Sequence, residues 1–236
     1  MSSYPHRRAP RPVRRIGPGA HRPLRRLRPL VLGVVLLGLV AGFGACSGSE
    51  EPAELGARSN QDGYRGTYLD DLYQLPDTTL TDTWGDAYNL KTSPSKPVTL
   101  VFFGYTHCPD ICRAVLSDVA VALRRSPDPV RDKVLMIFIT TDPTRDTPPV
   151  NAAYLAKFNP DFIGLTGDLK VIQKVAGGMG VEVGGRTKLA SGGYTVSHST
   201  PVIGFDKDGG AQVLWTPSTP ISDLTADLGL LVSRQS

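Results

Sequence analysis

Two stretches of this chain are apolar at nearly every position. Residues 98–103 and 134–140 carry no charge and no regular alternation of polar and apolar side chains, so both faces of each should be covered, as in the central strands of a parallel sheet. Between them apolar residues fall at Ile111, Val115, Val119, Ala122 and Leu123. That spacing predicts a helix over 110–125, closing on basic residues that suit a C-terminus. Pro109 fits its first turn. A helix over 150–158, a short strand over 162–165 and a helix over 168–176 continue the order strand, helix, strand, helix.

The outer segments read differently. Residues 68–90 alternate around Asp82-Thr83-Trp84-Gly85, as a hairpin does. Residues 177–193 hold seven glycines and few large apolar side chains, which predicts a long mobile loop. Strands over 201–205 and 211–215, joined by Asp206-Lys207-Asp208-Gly209-Gly210, form a second hairpin, and a last helix spans 221–232. Parallel strands joined by helices and closed by a hairpin and a helix define an α/β chain. The expected fold is a thioredoxin-like sandwich: a central mixed sheet, flanking helices and an N-terminal hairpin extension.

The formal charge of +4 changes meaning once it is located. Residues 1–45 hold nine arginines and no acid, so 17 basic residues (26 − 9) face 22 acidic ones downstream, a net of −5. No basic stripe remains there to track phosphates, which excludes nucleic acid as a partner. The uncharged run over residues 30–45 is short of the ~20 residues of a membrane span and reads as the apolar region of an export signal. It ends in Phe43-Gly44-Ala45-Cys46, like a bacterial lipobox with Cys46 as the acylated residue, although Phe43 stands where leucine is usual. An uncleaved anchor is the alternative. Either reading puts the remainder outside the cytoplasm at the cell membrane, and the first makes it lipid-anchored. Arg25-Arg26 lacks the flanks of a good twin-arginine signal, so the export route stays open. Residues 46–65 are rich in Gly, Ser and Glu and read as a flexible tether. Residues 66–236 are then enough for one domain.

Past the leader the soft ligands are few: Cys46, Cys108, Cys112, His107 and His198. Cys108 and Cys112 stand four apart where a strand gives way to a helix, so both sulfurs can share one face at the helix N-terminus. There, exposed N–H groups and the helix dipole favour thiolate. Such a pair can form a redox-active disulfide or grip a soft metal. A purely structural disulfide would close too short a loop to constrain much unfolded chain. His198 follows the glycine-rich segment, from which it could swing over the cysteines, or it is an ordinary surface histidine. Two thiolates and one imidazole suit copper, as Cu(I) or Cu(II). Zinc normally wants a fourth protein ligand, and His107 should diverge from the cysteine face. Trp84, Trp215 and Tyr105 read as core or rim aromatics.

Three ordered motifs carry a resemblance. Phe103-Gly104-Tyr105-Thr106-His107-Cys108-Pro109-Asp110-Ile111-Cys112, then Asp142-Pro143-Thr144-Arg145-Asp146-Thr147-Pro148, then Tyr194-Thr195-Val196-Ser197-His198-Ser199 closely resemble the Sco/SenC proteins over about residues 70–232. Those are membrane-anchored, thioredoxin-like copper chaperones for cytochrome c oxidase. The resemblance implies that Cys108, Cys112 and His198 are copper ligands. It also implies that Arg145 and Asp146 organise a loop bordering the site, and that the partner is cytochrome c oxidase subunit II, besides other copper carriers or thiol oxidoreductases. Arg113 stands where the family usually has proline, and Ser197 where an acid often precedes the histidine. The competing reading is an enzyme, a thiol–disulfide oxidoreductase using Cys108 and Cys112. A thiol peroxidase is a distant third. Thioredoxin-like folds often carry a cis-proline opposite the cysteines, and the isomer of Pro201 is not legible in sequence.

Overall fold

Every residue of Val98–Gly104 and of Val134–Thr140 is buried, and the two segments form the centre of the sheet. The computed structural model describes residues 62–189 and 193–235. In chain order the first elements are β1 (Thr67–Tyr68), β2 (Thr79–Thr81), β3 (Ala87–Asn89), β4 (Val98–Gly104), α1 (Ile111–Arg125), α2 (Asp128–Arg131) and β5 (Val134–Thr140). Then follow α3 (Pro148–Leu155), β6 (Ile163–Leu165), α4 (Leu169–Gly178) and β7 (Val183–Lys188). The last are β8 (Tyr194–His198), β9 (Val202–Phe205), β10 (Ala211–Trp215) and α5 (Ile221–Ser233).

The main sheet has the order β1-β10-β9-β4-β5-β6. β4, β5 and β6 run parallel, and β9, β10 and β1 extend the sheet in antiparallel pairs. This mixed sheet with helices on both faces is the thioredoxin-like sandwich that the pattern predicts. β2 and β3 make the N-terminal hairpin. Alternation along the central strands divides the core. Leu100, Phe102, Met136 and Phe138 pack with α1 and α5 residues such as Leu116 and Leu228. Val101, Phe103, Ile137 and Ile139 face α4 through Ile172 and Val175, and the hairpin through Leu80 and Tyr88. Successive side chains of a strand point to opposite faces, so a strand apolar throughout serves two half-cores.

Several boundaries differ from expectation for physical reasons. α3 begins two residues early because Pro148 and Pro149 fill its first turn, where a missing N–H does no harm, with Thr147 at the N-cap position. Pro109 precedes α1, whose N-cap is Asp110. The loop expected over 177–193 is corrected: α4 runs through Gly178, and β7 pairs antiparallel with β8. Glycine suits this hairpin because β7 is mostly exposed and gains its order from backbone pairing. Packing begins at Tyr64, only 1% exposed, just ahead of the domain start expected at residue 66. There the buried Asp227 carboxylate accepts hydrogen bonds from the backbone N–H of Arg65 and Gly66 and from Trp215 Nε1, each at 2.8 Å. Trp84 is no core aromatic but stands 71% exposed at the hairpin tip, whereas Trp215 and Tyr105 are buried. The bond before Pro201 is trans, as are all peptide bonds among the described residues. Among them no helix is long and apolar enough to cross a membrane. The expected signal, Cys46 and most of the tether lie outside the described residues.

Candidate metal centre

Cys108 and Cys112 reach one another because β4 ends in a tight turn against the start of α1. The backbone N–H of Cys108 bonds to the Tyr105 carbonyl at 3.1 Å, and the N–H of Cys112, in the first turn of α1, donates to Cys108 Sγ at 3.4 Å. Cys112 is fully buried and Cys108 nearly so, and both are free thiols. Gly104 makes room for them. A Cβ there would stand 2.8 Å from the Phe138 ring and 3.1 Å from Cys112 Sγ, closer than packed atoms tolerate.

The third group is His198, the last residue of β8. Its Nε2 lies 3.7 Å from Cys112 Sγ, and the ligand atoms of Cys108, Cys112 and His198 all fall within 4.8 Å of one another. The Ser199 carbonyl faces Nδ1 at 3.0 Å. A carbonyl can only accept, so in the neutral ring Nδ1 carries the proton and Nε2 presents its lone pair to the sulfurs. That backbone carbonyl orients the imidazole where Ser197 supplies no acid. Tyr105 meets the ring edge-on, with centroids 5.8 Å apart, and its hydroxyl pairs with Thr195 Oγ1 at 2.7 Å. His107 lies outside the cluster, its Nδ1 beside Thr106 Oγ1 at 3.0 Å.

The two thiols are electrostatically unlike. The Cys112 thiol hydrogen-bonds the Cys108 sulfur and is the main cause that lowers the Cys108 pKa to about 4; burial opposes it, and the N–H groups of Cys112 and Asp110 assist. The Cys112 pKa is pushed up, by keeping the shared proton and by burial. One sulfur is thus poised as thiolate and the other as its donor.

The resemblance puts Arg145 and Asp146 in a loop bordering the site and assigns no role to Asp142. Asp146 is buried and accepts from Thr106 N–H at 2.9 Å and from the hydroxyls of Thr106 and Thr140, both at 2.6 Å, which fixes the turn before Cys108. Asp142 is the centre of a larger clamp. Its buried carboxylate pairs with Arg145 Nε and, at 3.0 Å, with Arg186 Nη2, and takes the Tyr194 hydroxyl at 2.9 Å. The Tyr194 ring has the Arg145 guanidinium 3.8 Å from its centroid and that of Arg186 at 4.7 Å. Arg186 is on β7 and Tyr194 on β8, so the clamp ties the hairpin that carries His198 to the end of β5. The only sequence signal for it was the position of Asp142 two residues past the end of a central strand.

A fold with a paired-thiol turn at the end of a central strand, faced by an imidazole from a neighbouring hairpin, defines a thioredoxin-like protein with a cluster of donor atoms able to hold a soft metal. The sequence model of the SCO1/SenC family matches residues 75–233; the chain belongs to that family. A putative copper-binding protein of Stutzerimonas stutzeri is 36% identical over 110 residues, 47% of this chain and 53% of the relative. The chain thus spans about half the length of that curated relative. ScoI of Bradyrhizobium japonicum, solved with copper bound, is 36% identical with a TM-score of 0.57, covering 65% of this chain and 96% of that one. Apo Sco1 of Thermus thermophilus is 30% identical with a TM-score of 0.61, covering 71% and 96%.

Proposed function

We propose that Cys108, Cys112 and His198 hold a single copper ion, and that the chain delivers it to the dinuclear copper site of cytochrome c oxidase subunit II or prepares the thiols of that site. The observation that carries this reading is the convergence of two sulfurs and one imidazole nitrogen within 4.8 Å of one another. Two thiolates and an imidazole suit copper, which accepts soft sulfur and low coordination as Cu(I) and can add an oxygen ligand as Cu(II). Membership of the SCO1/SenC family and the copper held by the Bradyrhizobium japonicum relative support it. Release is ligand exchange, in which thiolates of the partner replace those of Cys108 and Cys112. The reduced full-length chain should bind one copper, lose it on Cys108→Ser or Cys112→Ser, and bind it more weakly on His198→Ala. Wild-type binding by either cysteine variant overturns the site.

A second reading is favoured by the unlike thiols. The Cys108 thiolate would attack a disulfide of the partner and expel one of its thiolates. Cys112, giving up its proton, would then attack Cys108 Sγ and release the reduced partner, leaving a disulfide here that a separate thiol reductant must reset. A strain lacking the protein discriminates the two. Oxidase activity restored by added copper supports the chaperone, since mass action replaces a carrier; restoration by a small thiol reductant alone supports the oxidoreductase.

The remaining organisation belongs to the same proposal. Residues 1–45 are an export signal, Cys46 carries the lipid, and residues 46–65 tether the domain to the outer face of the cell membrane. Mass spectrometry of the native protein should find an acylated Cys46 at the N-terminus. An intact Met1 or an unmodified Cys46 refutes the anchor.

A further inference from the structure

Cys108 borders two grooves. One, of about 330 Å³, is bounded by Tyr105, Ile111, Val196 and His198 and belongs to the metal centre. The other, of about 420 Å³, is lined by His107, Cys108, Arg113, Tyr154, Lys157 and Phe158 among others, and no carboxylate lines it. Downstream of residue 45 the chain is net negative, so this groove reverses the prevailing charge. Arg113 and Lys157 are exposed, and neither forms an ion pair among the described residues. Asp146 comes within 3.9 Å of His107 Nδ1 but is fully buried and already engaged by Thr106 and Thr140. The floor is aromatic: the Tyr154 and Phe158 rings meet edge-on at 5.3 Å, and the Tyr154 hydroxyl has no hydrogen-bond partner among the described residues.

We infer that this groove docks an acidic segment of the protein that exchanges copper with Cys108, its carboxylates meeting Arg113 and Lys157 and its apolar side chains covering Tyr154 and Phe158. The inference rests on the copper-exchange reading above. Ligand exchange requires the thiolates of the partner to reach Cys108, so whatever fills the adjoining groove is the chain that flanks those thiolates. Unpaired cations around a recess raise encounter rates and select for opposite charge. A membrane surface is the poorer occupant, because headgroup recognition relies on clusters of roughly 4–8 basic residues and this groove offers two.

Two synthetic peptides test it, one rich in Glu and Asp around a pair of cysteines and one with Gln and Asn in their place. In a first arm without copper, serine replaces the cysteines, and amide exchange of the full-length chain in neutral detergent is followed over residues 106–113 and 149–158. The acidic peptide should protect these segments at an ionic strength of about 0.01 M and not at about 1 M, and R113Q/K157Q should remove the protection. In a second arm the cysteine peptides receive Cu(I) from the loaded chain. The acidic one should be faster by about tenfold, an advantage lost in R113Q/K157Q and turned toward a Lys-rich peptide in R113E/K157E. Copper stoichiometry of each variant separates slower docking from a damaged site. No protection by the acidic peptide overturns the groove. Protection with equal transfer rates overturns its assignment to copper exchange. Protection without peptide in phosphatidylglycerol nanodiscs, absent in phosphatidylcholine and in R113Q/K157Q, gives the groove to lipid and overturns the proposal. If no copper binds at all, the copper reading has failed and the first arm still decides whether the groove takes acidic chain.

Discussion

At the scale of single residues, Cys108 and Cys112 share one proton unequally. The helix N-terminus and the Cys112 thiol both donate toward Cys108 Sγ, so negative charge is stabilised there, and the fully buried Cys112 keeps its hydrogen. Because the Cys108 pKa is lowered to about 4, its thiolate persists as pH falls and is lost only near that value. Alkylation of the reduced, copper-free chain, read by peptide mass spectrometry, should therefore modify Cys108 at a nearly constant rate from about pH 7 to about pH 5, while Cys112 stays unmodified. Cys112→Ala should shift the Cys108 profile upward, since it removes the largest stabilising contact. A Cys108 rate that falls about tenfold per pH unit below about pH 8 would mean an ordinary thiol. This asymmetry was legible only in part. The four-residue spacing put both sulfurs at a helix start, but which one keeps the proton depends on burial.

At the scale of elements, the β7–β8 hairpin decides where His198 stands. Its glycines suggested a loop because periodicity reads side-chain burial, and β7 buries almost none; its order comes from backbone pairing and from Arg186 and Tyr194 gripping Asp142. The paired hairpin places His198 beside Cys112, its Nε2 3.7 Å from the Cys112 sulfur. Asp142→Asn leaves two guanidinium groups facing a neutral amide and should loosen the hairpin by about 1–3 kcal/mol, roughly ten- to hundredfold in amide exchange over residues 183–198. Copper affinity should drop toward that of His198→Ala, with binding by the two thiols retained. Tyr194→Phe, which removes one donor and keeps the ring between the guanidiniums, should show the same effects more weakly. Unchanged exchange in Asp142→Asn would mean that backbone pairing alone holds the hairpin.

At the scale of the whole molecule, the sequence announces what lies along one element and hides what joins distant ones. The central strands were legible because a segment apolar on both faces has few other places to go, and the two-residue β1 was not, since its pairing with β10 leaves no periodic trace. The same limit concealed the two acids that organise the domain. Asp227 fastens the start of the fold to β10 and α5, and Asp142 fastens the His198 hairpin to the end of β5. The two networks share no residue, so their contributions should add within about 0.3–0.5 kcal/mol. Asp227→Ala strands the buried indole N–H and two backbone donors and should lower global stability by about 1–3 kcal/mol while leaving copper stoichiometry intact. Asp142→Asn should do the reverse, weakening copper binding with the smaller change in unfolding midpoint, because a hairpin on the sheet periphery can open without unfolding the core. Urea unfolding of the two single variants and the double variant checks this. A double-variant loss well beyond the sum of the singles would show that the metal hairpin and the N-terminal anchor open as one cooperative unit.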